Sequence, residues 1–142
     1  MRDKRGIMLR KLYSIFSICA VMILVGGCPF HGPIYEEDLV NGYAVWAADI
    51  MKDAAIVLKI KGTSGASVVV HPMVFAYGWN DDFIIAKRHP EKKDRKVDMS
   101  ITYWYIVEVA SGNVHGPLNE DEFDKLRIKL EVPPELSFKT IQ

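Results

Sequence analysis

Residues 101–109, Ile-Thr-Tyr-Trp-Tyr-Ile-Val-Glu-Val, constrain the fold of this chain more than any other stretch. β-Branched and aromatic side chains dominate them, as suits an extended strand. Successive residues of a strand point to opposite faces, and here both faces carry large apolar groups. A strand of that kind needs cover on two sides, which predicts a central position in a sheet.

The flanking sequence supplies its neighbours. Residues 56–61 place Ile56, Leu58 and Ile60 on one side and Val57, Lys59 and Lys61 on the other, the period of a half-buried strand. Gly62-Thr63-Ser64-Gly65 reads as a turn. Val68-Val69-Val70 opens a further run in which Pro72, unable to donate to a ladder, predicts an edge or a bulge. Val74 to Trp79 resumes it, and Asn80-Asp81 predicts a hairpin turn into Phe83-Ile84-Ile85-Ala86. Ser111-Gly112-Asn113 turns the 101–109 strand toward Val114 and His115. Tyr43 to Trp46 can start a strand, whereas Ala47 to Ala54 can form a short helix.

One helix is announced by its ends. Asn119 can cap, Glu122 can complete a capping box, and Leu118 can staple to Phe123. Glu120, Asp121 and Glu122 crowd the first turn while Arg127 and Lys129 fall near the end, matching the helix dipole. Phe123, Leu126 and Leu130 share a face with Ile128 on its shoulder, and Pro133-Pro134 stops the helix. The predicted fold is therefore mainly β with one C-terminal α-helix (α+β). Its frame is a small antiparallel sheet, open or rolled into a barrel-like sandwich.

The N-terminus carries a different kind of signal. Arg2, Lys4, Arg5, Arg10 and Lys11 stand against the single acid Asp3, and an apolar stretch follows from Leu12 to Val25, broken by Tyr13, Ser14 and Ser17. A basic start, a short apolar run and a small-residue exit form the pattern of a secretory signal. Crossing about 30 Å of hydrocarbon takes roughly 20 apolar residues, and Gly26-Gly27-Cys28-Pro29 ends this run sooner. A transmembrane anchor and plain secretion with a free thiol are the competing readings.

Leu24-Val25-Gly26-Gly27-Cys28 resembles the lipobox of bacterial lipoprotein signal peptides. The resemblance implies cleavage between Gly27 and Cys28, a diacylglycerol thioether on the Cys28 sulfur, and a membrane attachment through acyl chains such as palmitate. Cys19 would leave with the signal, so no internal disulfide is available, and acylation accounts for the single remaining thiol. One acyl chain binds marginally and two or more hold firmly, at about 0.8 kcal/mol per buried methylene. Pro29, standing where inner-membrane lipoproteins carry Asp, implies the periplasmic side of the outer membrane in a Gram-negative cell. The expected organisation is a signal peptide over 1–27, a tether over 28–40, one β-rich domain over 41–132 and a tail over 133–142.

Of the 18 Lys plus Arg and 18 Asp plus Glu, residues 1–27 hold five and one, leaving 13 against 17 and a net charge of −4. A mildly acidic domain lacks the basic face that nucleic acid requires.

Several motifs together resemble a family of small bacterial envelope lipoproteins carrying an uncharacterised domain. They are Gly42-Tyr43, Trp79-Asn80-Asp81-Asp82 followed by Ile84-Ile85-Ala86-Lys87, Tyr103-Trp104-Tyr105-Ile106-Val107, and Gly112-Asn113-Val114-His115-Gly116-Pro117-Leu118 before an acidic helix. The likeness spans roughly residues 42–130. It implies an envelope location and a β-rich domain, and it carries over no catalytic residue.

Chemistry-bearing clusters are sparse. His31, His71, His89 and His115 lie at none of the usual metal-ligand spacings, so no metal and no cofactor is expected. Asp81 and Asp82 could divide acid and base work, with His71 nearby, although adjacent residues of a strand point apart. No Gly-x-Ser-x-Gly elbow is present, and Gly62-Thr63-Ser64-Gly65 lacks the ending of a phosphate loop. An enzyme is not expected.

The concentrated charge is Lys87 to Lys96, where Lys87, Arg88, Lys92, Lys93, Arg95 and Lys96 face only Glu91 and Asp94. With Trp79 and Asp81 these six form the candidate binding surface, set against the alternative of a solvated loop between strands. The leading expectation is a non-enzymatic, membrane-anchored lipoprotein that binds another envelope protein. The alternatives are an inhibitor or immunity-type protein acting on a hydrolase, and a small-ligand-binding or hydrolytic domain using Asp81, Asp82 and His71.

Overall fold

The structure, a computed structural model, describes residues 32–94 and 96–141. The expected signal peptide, with Gly27 and Cys28, lies outside the described residues, as do the start of the expected tether and Arg95.

Two antiparallel sheets form the frame. The first is a meander of β1 (Tyr35–Asp38), β2 (Tyr43–Ala47), β3 (Ala55–Lys59) and β4 (Ala66–Val70). The second contains β5 (Val74–Trp79), β6 (Phe83–Arg88), β7 (Tyr103–Glu108), β8 (Val114–Leu118) and β9 (Lys139–Thr140) in the order β8-β7-β6-β5-β9. Neither sheet closes into a barrel.

Strand alternation produces the layers. On β6, Ile84 and Ala86 face the first sheet while Ile85 faces away, and on β7 Tyr105 and Val107 oppose Ile106 in the same manner. One core therefore lies between the sheets, where these residues meet Val45, Ala47, Ile56 and Val70. The second core lies on the far side, where Ile85 and Ile106 meet Phe123 of helix α1 (Glu120–Lys129) together with Val132 and Leu136. The 101–109 segment carries apolar groups on both faces because β7 is an inner strand sandwiched between the first sheet and the helix.

Local signals act as their chemistry dictates. Asn119 Oδ1 accepts from the Glu122 backbone N–H and Glu122 Oε2 accepts from the Asn119 N–H, closing the capping box. In the β5–β6 hairpin Asn80 Oδ1 accepts from the backbone N–H groups of Asp82 and Phe83. Ile128, expected on the shoulder of the apolar face, is 79% exposed.

Four expectations are corrected. Tyr35–Asp38, read as tether, is an edge strand, because its alternate residues Tyr35 and Glu37 turn inward onto partners from the other sheet. The segment 47–54 forms no α-helix. It ends strand β2 and makes a single 3-10 turn at Met51–Asp53 before β3 begins. Pro72 lies inside no strand but in the link His71-Pro72-Met73 between the sheets, although the edge it predicts holds, since β4 ends the first sheet.

The tail is the fourth. Helix α1 ends in a Schellman motif, in which Val132 N–H donates to the Arg127 carbonyl and Glu131, at φ 56°, donates to that of Ile128. Arg127 Nη2 then donates to the carbonyls of Pro133 (2.7 Å) and Leu136 (2.5 Å), pulling the chain back over the sheet. Phe138 packs edge-on to Trp104 at 5.5 Å, and β9 pairs with β5. Leu136 and Phe138 thus cover the second core, and residues 139–141 extend the second sheet rather than trailing from it.

This covering depends on a missing side chain. A Cβ at Gly78 would fall on the backbone carbonyl of Ser137, well inside contact distance. Gly78→Ala should therefore lift the C-terminal segment off the sheet and destabilise the domain by about 1–3 kcal/mol, read as a lower urea midpoint. An unchanged midpoint would mean that the segment contributes nothing to the fold.

Candidate functional site

The densest polar cluster joins the two sheets where the first and last strands meet. Glu37 of β1 points into the sandwich, and its Oε2 accepts hydrogen bonds from Tyr35 Oη (2.7 Å) and Tyr77 Oη (2.5 Å). The two phenol oxygens lie 3.1 Å apart. Lys139 of β9 completes the set with an ion pair to Glu37 Oε1. Its ammonium also lies over the rings of Trp79, at 4.4 Å, and Tyr77, at 4.9 Å. Tyr77 and Trp79 stack at 5.9 Å, since alternate residues of β5 share a face. Tyr35, Glu37, Tyr77, Phe138, Lys139 and Thr140 line a shallow groove of about 580 Å³ above the cluster.

Electrostatics fix the states of Glu37 and Tyr77. Burial pushes the Glu37 carboxyl upward, but the hydrogen bonds from Lys139, Tyr77 and Tyr35 outweigh it and hold the group at about 2. Burial, followed by the bonds to Glu37 and Tyr35, raises the Tyr77 phenol far above the usual tyrosine range. The carboxylate stays ionised and the phenol stays a donor throughout the physiological range. With its proton-accepting capacity spent on three partners, Glu37 is suited to clasping strands and ill suited to moving protons.

The structure disperses the sequence-predicted surface. Lys87 turns toward the helix layer, 3.7 Å from the Trp104 ring centroid and 4.3 Å from that of Phe138, and burial lowers its ammonium below the usual lysine range. Arg88, one residue on, faces the other way and donates to the Pro72 carbonyl at 3.0 Å. Beyond β6 the chain makes an excursion closed by the bridge between Glu91 and Val97. There Lys92 pairs with Asp98 (3.5 Å) and Lys96 with Asp94 (3.0 Å), while Lys93 is exposed. Trp79 belongs to the Glu37 cluster and Asp81 to the exposed hairpin tip.

The proposed acid–base trio does not assemble either. His71 precedes β5 and Asp81 and Asp82 follow it. At about 3.3 Å per residue the six residues of β5 separate them by roughly 20 Å. His115 lies on β8 with Nε2 2.6 Å from Glu108 Oε1, a contact that lowers the Glu108 carboxyl. Among the described residues no three His, Cys, Asp or Glu side chains gather as a metal ion requires.

Of the Glu37 cluster, sequence reasoning picked out Trp79 as a site residue but neither Glu37 nor Lys139. The one available signal was Tyr35-x-Glu37, an acid and a phenol on the same face of a short strand.

A pH dependence follows from the clasp. Ionised Glu37 favours the folded state above its unfolded value of 4.5, and the contribution fades as pH falls from there toward about 2. Allowing for the exposed part of the carboxylate, its worth at neutral pH is about 1–2 kcal/mol. Glu37→Gln should be less stable than the native chain by that amount at neutral pH, with the gap closing in acid. Urea unfolding of both chains across that range checks this, and a gap independent of pH contradicts it.

Comparison with known proteins gives one finding. No curated protein and no solved structure matches the chain, while the family described as "Protein of unknown function (DUF3997)" matches residues 40–142. That span runs from the β1–β2 turn to the C-terminus, so it takes in the C-terminal segment along with the sheets. The chain belongs to the DUF3997 family of proteins of unknown function.

Proposed function

We propose that this chain is a lipid-anchored bacterial envelope protein that acts by binding another envelope protein rather than by catalysis. The observation that carries the reading is Cys28, placed directly after Gly26-Gly27 at the end of a basic and then apolar N-terminus. Acylation there gives the one cysteine of the processed chain a use, and Pro29 in the following position favours the outer membrane of a Gram-negative cell.

The side chains that would serve catalysis support the second half. Glu37, Lys87, Arg88 and Lys139 are each committed to holding the domain together. The basic excursion gives little support to entry into an acidic cleft, since Lys92 and Lys96 already pair with Asp98 and Asp94. An exposed ion pair of this kind is worth under about 1 kcal/mol, yet with Glu91 the two acids leave residues 89–98 only one positive charge in excess to steer such a docking.

Cys28→Ser should abolish processing, leave the full-length chain to accumulate, and remove the mass of the acyl groups from the extracted protein. Fractionation with intact mass measurement reads both effects. Normal processing of the serine variant, with the same membrane sedimentation, overturns the anchor. Cross-linking in cells then addresses the partner: recovery of the chain free of any other protein under every growth condition overturns the binding reading.

A further inference from the structure

Among the described residues the two sheets have four edges, and three of them are guarded against pairing with another chain. β1 carries Glu36, Glu37 and Asp38, so two copies of it would set carboxylates against carboxylates. β8 contains Pro117, which lacks a donor, and its register with β7 is broken. β9 is two residues long and carries Lys139. Charge, proline and brevity are the devices by which sheet edges avoid unwanted partners.

β4 carries no charge and no proline, and its one register shift, between Ile56 and Val57 of β3, falls beyond Val68. It reads Ala-Ser-Val-Val-Val, and every residue from Gly62 to Val70 is uncharged. Val68 is 54% exposed on it.

The backbone pattern shows what this edge offers. Ile60 N–H donates to Gly65 O across the β3–β4 turn, while Lys59 N–H donates to Gly42 O on the β2 side. The antiparallel alternation then turns Leu58 toward β4 and turns Val57 and Lys59 toward β2. Ser67, opposite Leu58, spends its amide groups on β3. Ala66 and Val68, opposite Lys59 and Val57, direct their N–H and C=O groups outward.

We propose that β4 pairs antiparallel with β4 of a second copy of this chain about a twofold axis at Ser67. In that register Ala66 of each copy faces Val68 of the other, and the outward groups of both strands are used reciprocally in four N–H···O bonds. Ser67 meets its own equivalent in the close, non-hydrogen-bonded position, where Cα atoms lie about 4.5 Å apart. The exposed Val68 side chain rests on Ala66 of the other copy. On the outer face, the apolar row of Ala44, Val57 and Val68 continues across the axis. A twofold contact of one neutral patch with itself is the commonest form of protein self-association, and no charge in β4 or its turn opposes it. The two four-stranded sheets become one of eight strands.

The test uses the full chain in mild detergent with Cys19→Ser and Cys28→Ser, which frees the result from the lipid anchor. With Ser67→Cys added, mild oxidation should give an interchain disulfide in high yield, because the close pair lies within disulfide reach. Ala66→Cys, offset from its own equivalent, should give little. Val68→Pro removes an N–H that β3 does not use, and losing the two equivalent bonds should weaken the dimer by about tenfold or more. Ser67→Lys, at an exposed position, should weaken it as well through like charges set opposite each other. Sedimentation velocity reads both, with circular dichroism verifying the fold. A monomer at about 0.1 mM overturns the proposal, as does a dimer indifferent to both substitutions. Equal cross-linking at positions 66 and 67 overturns the register.

Discussion

Burial of both faces of the β6–β7 pair is the constraint from which the rest of this structure follows. Ile84, Ala86, Tyr105 and Val107 need a layer on one side, and Ile85 and Ile106 need one on the other. The first is met by a second sheet and the other by a ten-residue helix that buries one large side chain, Phe123. Such a helix is too short to cover a five-stranded sheet. The remaining cover comes from Val132, Leu136 and Phe138, so the chain must turn back after the helix and lie across the strands. Arg127, Gly78 and the Schellman turn at Glu131 all serve that single requirement.

Cations do an unusual share of the packing. Lys87 lies under Trp104 and Phe138, and Lys139 lies over Tyr77 and Trp79. Lys59 reaches from β3 across β2 to pair with Glu36 and Asp38 on β1. Each ammonium head finds a ring or a carboxylate. A basic residue in this sequence is therefore a poor guide to a binding surface. Lys87 and Arg88 are neighbours in the chain, yet they serve opposite faces of the sheet.

The contrast explains what could be read from the sequence. The 101–109 strand, the Asn80 hairpin and the capped helix were legible because each depends on residues within a few positions of one another. The edge strand Tyr35–Asp38 was not, because three of its four residues are polar and its inward acid is satisfied from far away. Glu37 finds Tyr77 40 positions along the chain and Lys139 102 positions along. Periodicity registers an inward Glu as a break in the apolar pattern, not as half of a clasp. The C-terminal segment failed for a related reason: Pro133-Pro134 correctly ends a helix, but nothing local says that Arg127 will gather the carbonyls beyond it.

The clasp and the edges bear on one another. Tyr35 and Glu37 hold β1 by its inward face, leaving Glu36 and Asp38 outside, where they share Lys59. One strand thus joins the sheets through its inner side and carries carboxylates on its outer side. At the opposite end of the same sheet β4 has no such double duty: Val70 is buried between the sheets, Val69 is half-buried, and Val68 and Ser67 are exposed. The sheet is polarised, with a sealed acidic edge at its first strand and a neutral edge three strands away. Each strand adds about 4.8 Å, which sets that neutral edge roughly 14 Å from the acidic strand.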